Sequence, residues 1–436
     1  MRFVLFASFV ICLLVPSSAV AQGPASLQSD QLTASFLKTV KPQTLHPSRN
    51  ADGGGVLGRQ SSGNTLGVDS VANWTSYFYE SAQGAQYAIA PGYFQFAFPY
   101  TMVGHAPFGQ GNEQDWNGEI TRINAPVVPV SLDLRNADGS PRYVNGQRLY
   151  YDATQYVAPV LASPVFSNDE YDSSEMPTQF TDALMRAEFF HKADPEWHTI
   201  LRPRVVTPRT MVLIRGTYRF ALNSDGSCCL FVLVDYNTFG NALFPTIPTD
   251  TTTPVGAAEN AGEVRTKDIS TFLFPNTYLY FNGDPTQCCV LGYHTYDLEP
   301  GDRTNGFQER RYVLNYSSWI TNGLFNAFAD ITALSHELSE TFNDPFGGNA
   351  TPWWLSPNGN CQNNLETGDV IEGLPNAIYP IRLNGATWSP QNEALLQWFA
   401  GIQNSNAIHH AYSYPDITVL TAPAVPQNPG CTPPIL

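Results

Sequence analysis

Three residues on one short stretch have types and spacing suited to holding and using a metal ion: His336, Glu337 and Glu340, in the run SHELSE. Residues four apart stack on one face of a helix. His336 and Glu340 can therefore reach a common ion, while Glu337, turned to the side, is free to take a proton from a water as general base. The arrangement differs from H-E-x-x-H by one residue, because Glu340 stands where the second histidine would be. One neutral imidazole with carboxylates suits zinc, and also the harder manganese or calcium. A solvated helix face can show the same letters, so the surroundings must decide. Apolar residues crowd both flanks, which points to burial.

A third ligand is expected from the following segment, WWLSPNGNCQNNLETGDVIEG, which carries Glu366, Asp369 and Glu372. Glu366 is the first choice. Asp369 is the alternative ligand, or the acid that orients His336. Both also suit a plain turn, since T-G-D is good turn chemistry. Asp344 lies further along the helix and can orient the site from its end. His294, on an aromatic strand, is either an extra ligand or a core histidine. His409 and His410 read as a surface pair, and His191 and His198 as neighbours of an earlier helix. Trp353, Trp354, Trp388 and Trp398 read first as core. The chain has no G-x-S-x-G elbow, phosphate-cradling loop or nucleotide fingerprint. Paired carboxylates for glycoside hydrolysis would draw on the same four acids, Glu337, Glu340, Glu366 and Asp369.

These residues need elements to hold them. The stretch 321–345, TNGLFNAFADITALSHELSETFNDP, reads as one long helix. Leu324, Phe328, Ile331, Leu338 and Phe342 form an apolar stripe at about 100° per residue. Thr321 or Asn322 can cap its start, and Pro345 ends it. A second helix is expected over 178–192, capped by Thr178 or Thr181, and a third over 391–402. Strands are expected at 127–134, 211–222, 229–236, 277–283 and 289–296, with hairpin turns at NADG (136–139) and NG (145–146) and a return strand RLYYD. Residues 247–270 read as a loop. The expected organisation is a signal peptide over 1–21, a flexible leader over 22–62, a strand- and loop-rich region over 63–118, and an α+β domain over 119–436. No internal repeat is present.

Composition narrows the function. Arg2, the apolar run Phe3–Val15 and Ala19-Val20-Ala21 have the form of a secretory signal, too short to span a bilayer comfortably. No other stretch reaches membrane-spanning length. The formal net charge of −16 argues against nucleic acid or an anionic membrane as partner. Beyond the signal there remain Cys228, Cys229, Cys288, Cys289, Cys361 and Cys431, an even set that suggests disulfides in an exported chain. The two adjacent pairs are expected to bridge neighbouring strands, leaving Cys361 to tie down Cys431. Glycosylation sequons begin at Asn73, Asn315 and Asn349.

The run SHELSETFNDP, followed by tryptophan and then LETGD, resembles the S-H-E-L-x-E…N/D-P…W…E-x-G-D arrangement of EXORDIUM-type, phosphate-induced secreted proteins and their bacterial relatives. CCVLGYHTY is similar to a segment of the same group, and TQFTDALMRAEFF resembles a helix of such proteins. The resemblance covers about 160–375. It implies a secreted or cell-wall-associated protein with a zincin-like fold, a mixed sheet over a metal-bearing helix. The shared positions are His294, His336, Glu337, Glu340, Asp344, Glu366 and Asp369.

The expectation is an exported zincin-like metal-dependent hydrolase, most simply a peptidase acting on a peptide or extracellular polymer. His336, Glu340 and Glu366 would hold zinc, and Glu337 would be the base. The alternatives are a non-catalytic extracellular or cell-surface binding protein with a structural acidic or metal site, and a metal-free glycan-acting enzyme.

Overall fold

The computed structural model describes residues 30–42, the backbones of short strands between 65 and 103, and 120–425 with a few single gaps, together with Cys431. The expected signal peptide, most of the leader and much of the 63–118 region lie outside the described residues, as does the Asn73 side chain; the described part of the leader, 30–42, is not a free tether, because Asp30 pairs with Arg142 and Arg215 and Leu37 is buried in the core.

The protein is mixed α+β, richer in strand than in helix. Its centre is Ile120–Arg135, in which Val127, Val128, Val130, Leu132 and Leu134 are all fully buried. Where both faces are covered, from Val127 to Val130, the run is apolar without alternation; beyond it the buried Ser131 and Asp133 alternate with the apolar residues. Its first half pairs in parallel with His198–Val205 and its second half with Arg209–Ile214. On its other side lies Ile269–Pro275, and beyond that Glu309–Trp319, both parallel. Gly292–Glu299 then runs antiparallel to Glu309–Trp319. A smaller four-stranded sheet joins Tyr218–Leu222, Cys228–Asp235, Thr277–Tyr280 and Cys288–Val290.

Successive side chains of the large sheet feed opposite cores. Val127, Leu273 and Val313 point into one; Val128, Phe272, Phe274 and Leu314 point into the other. The helix Thr332–Asn343 lies on the first face, supplying Leu334, Leu338 and Phe342, and packs on Glu309–Trp319 and Gly292–Glu299. Tyr236–Leu243 and Pro254–Asn260 cover the second face.

The central helix is shorter than expected. It begins at Thr332, not near 321. Asp330 sits at φ 43° and Gly323 at φ 87°, which no α-helix accommodates. Ile320 and Asp330 bridge each other, so the chain between them is a closed loop. Leu324, Phe325 and Phe328 are buried all the same; their apolar spacing served a loop tucked into the core. The C-terminal end falls before Pro345 as expected. All twelve residues of the helix are buried. Its small polar residues satisfy themselves along its own backbone: Ser335 donates to Thr332 O, Ser339 to Ser335 O, Thr341 to Glu337 O and Asn343 to Ser339 O.

Other expectations need correction. The 178–192 helix is Phe180–Glu188, and no side chain caps it, because Thr178 bonds the Asp182 carboxylate instead. The 391–402 helix shrinks to Leu396–Phe399, since Glu393–Ala394 pairs as strand with Ser413–Tyr414. The runs 211–222 and 289–296 each divide between the two sheets, the first across a turn at Gly216 (φ 103°). The 247–270 loop contains Pro254–Asn260, capped by Thr253. The cysteine pairs do not bridge strands. Cys228–Cys229 and Cys288–Cys289 are each joined to their own neighbour, while Cys361–Cys431 forms as expected. Thr277–Tyr280 lies between the two vicinal pairs and keeps them apart. Asn315 and Asn349 are buried, so neither sequon offers a glycan acceptor in the folded protein. Among the described residues no helix is long and apolar enough to cross a membrane.

Candidate metal centre

Two elements and one turn deliver the chemistry. The Thr332–Asn343 helix carries His336, Glu337 and Glu340, the edge strand Gly292–Glu299 carries His294, and the turn after the hairpin Ala350–Leu355/Cys361–Asn364 carries Glu366 and Asp369. The turn is fixed from several sides. Leu365 N donates to Asn349 O (3.0 Å), Ala394 N to Thr367 O (3.0 Å) and Gln391 Nε2 to Gly368 O (2.8 Å). The Cys361–Cys431 disulfide secures the start of the hairpin's second strand.

Glu340 is the hub. Its Oε1 lies 3.2 Å from His336 Nε2, and its Oε2 lies 3.8 Å from His294 Nε2. Oε1 also accepts the Gly368 and Asp369 amides, at 3.0 and 3.3 Å. Glu366 Oε2 lies 2.9 Å from His294 Nε2, and Asp369 Oδ1 lies 3.6 Å from His336 Nε2. Asn364 donates to Glu366 and Gln362 to Asp369. Two sets have donor atoms within 4.8 Å of one another: His294, Glu340 and Glu366; and His336, Glu337 and Glu340.

Glu340 thus touches His336, as its spacing implied, but Glu366 is nearer to His294. Asp369 faces His336, which is where the orienting acid was expected. Asp344 caps the helix end, its carboxylate accepting Gly348 N (2.8 Å) and Asn349 N (2.9 Å). His409 pairs with Asp172 and His410 with Ser405 O, and neither lines the cleft. His198 is buried against Asp182. Trp354, Trp388 and Trp398 are core.

Two glycines make room for the site. A Cβ on Gly292 would lie 2.6 Å from Glu337 Oε1, and one on Gly368 would lie 2.6 Å from His336 Nδ1. The sequence showed Gly368 only as a turn residue, and Gly292 only as a member of an aromatic strand. Glu393 was also missed. It is buried, accepts from Thr367 Oγ1 (3.1 Å) and feels the charge of His336. Nothing in the surrounding QNEALLQ sets it apart in the sequence.

The cleft is small, about 40 Å³, and is lined by Leu291, Tyr293, Phe328 and Gln391 besides the acids and histidines. Among the residues lining it there is no lysine or arginine. Burial and mutual repulsion accordingly push the acids up: Glu337 well above the carboxylate range, Glu340 to about 7, and Asp369 upward. Burial pulls the imidazoles down, but at His294 the Glu366 carboxylate outweighs it and raises the group to about 10; Glu340 does the same to His336. The donor set therefore fits a cation: imidazole Nε2 atoms and carboxylates converge in a volume short of positive charge. Phe328 and Glu372 are shared with a second, longer groove walled by Lys38, Lys41 and Phe325.

No protein-family model, no curated protein and no solved structure matches this chain.

Proposed function

We propose that the protein is an exported, zincin-like metal-dependent hydrolase acting on peptides. The observation that carries this reading is the convergence of His336, Glu337, Glu340, His294 and Glu366 on one buried cleft without a lysine or arginine. His336, Glu340 and Glu366 would hold the metal, with His294 beside Glu366. A bound dication supplies Lewis acidity to a water and to a substrate carbonyl.

The protein's own groups do the rest. Glu337 takes a proton from the attacking water and returns it to the leaving amine. Gly292, by lacking a side chain, leaves Glu337 its place. The peptide preference comes from Gly292–Glu299. This strand pairs with Glu309–Trp319 and, among the described residues, with no other strand, and its residues Gly292, Tyr293 and His294 line the cleft. An extended peptide laid along that edge would present its carbonyls to the site. A mixed sheet over a metal-bearing helix is the zincin-like arrangement. Three disulfides agree with an oxidising compartment.

The test is hydrolysis of casein and of a mixed fluorogenic peptide set by the purified protein, with and without chelator. Chelator-sensitive cleavage supports the reading. Stoichiometric metal with no cleavage of any peptide would instead favour the non-catalytic binding protein, and absence of bound metal would remove the hydrolase.

A further inference from the structure

The two oxygens of Glu340 do not face the same way. Oε1 faces His336 Nε2 at 3.2 Å and Oε2 faces His294 Nε2 at 3.8 Å. Each imidazole has a further carboxylate of its own: Asp369 at 3.6 Å from His336, and Glu366 at 2.9 Å from His294. The donors thus fall into two sets that share only Glu340. The lining of the cleft carries no lysine or arginine that would occupy these carboxylates instead.

We propose that the cleft is a two-metal centre in which the Glu340 carboxylate bridges two divalent cations, one held by His336 with Asp369 and one by His294 with Glu366, leaving Glu337 free as the base. This rests on the metal-hydrolase reading, adds to it a second ion and moves Glu366 from the first ion to the second, with His294 as a principal ligand.

The full-length protein, stripped with chelator and reloaded with Zn²⁺, is titrated and its bound metal counted. Two ions per chain are expected, and one each in His294→Ala and His336→Ala. Loading with Mn²⁺ gives a readout that needs no variant. Ions bridged by one carboxylate lie about 3.5–4 Å apart in two-metal sites, so wild-type protein at two equivalents should show a spin-coupled spectrum. One ion per chain with an uncoupled Mn²⁺ signal would overturn the two-metal centre while leaving the single-metal hydrolase standing. No bound ion would overturn both.

Discussion

Among the described residues, two buried histidine–carboxylate arrangements stand out, and one of them has the makings of a reaction centre. In the first, His198 Nδ1 sits 2.7 Å from Asp182 Oδ2, and Asp182 also accepts Thr178 Oγ1 and the Thr199 amide. One acid meets one histidine, the acid's oxygens are occupied, and neither residue lines a cleft around the candidate metal centre. In the second, two histidines share a cleft with five carboxylates, Glu337, Glu340, Glu366, Asp369 and Glu372. Both pairs are equally buried, so burial does not distinguish them. What differs is stoichiometry. A matched pair closed by the Thr178 hydroxyl and the Thr199 amide braces the Phe180–Glu188 helix against its strand, whereas surplus carboxylate invites a cation.

The contrast can be broken experimentally. The largest effect is expected from Glu337→Gln, which keeps shape and removes the base. Peptide hydrolysis should fall about 10²–10⁴-fold while bound metal stays stoichiometric. Retained activity in a steady-state assay would move Glu337 out of the chemistry. Asp182→Ala should do the reverse. Leaving a buried partner uncompensated costs on the order of 3–5 kcal/mol in urea unfolding, with metal content per folded molecule unchanged. If metal were lost as well, the two arrangements would not be independent.

Gly368→Ala probes the site's packing. Its new Cβ would press on the His336 ring, and disturbing a ligand's support typically weakens metal binding about 10–100-fold, measurable by competition with a chromophoric chelator. The smallest effect concerns acids with no histidine near them. Burial, then Glu299, raises Asp297 from 3.8 to about 6. A carboxyl with a raised folded pKa binds more protons when folded, so its contribution is complete below about pH 4 and is lost as pH climbs through about 6. Asp297→Asn should flatten that part of the stability profile and add on the order of 1 kcal/mol at pH 7. An unchanged urea midpoint between pH 4 and pH 7 would count against it.

Much of the framework was legible in local chemistry. The Asn145–Gly146 turn, the apolar run Val127–Val130 of the central strand and the stop before Pro345 follow from dihedral preference and burial, which neighbouring residues express directly. The start of the site helix was not legible, because Leu324 and Phe328 bury themselves equally well from a loop. The vicinal disulfides were hidden for a related reason: which sulfur a cysteine meets depends on which strands become neighbours.

The sequence alone determined that His336 and Glu340 would share a face, because that distance is set within one helical turn, and it supplied the acids in the loop beyond. Only the tertiary structure decided that Glu366 would meet His294 and that Glu340 would stand between two imidazoles. Those meetings join residues far apart in the chain, and they are fixed by how one edge strand, one helix and one clamped turn pack together rather than by any spacing along the backbone.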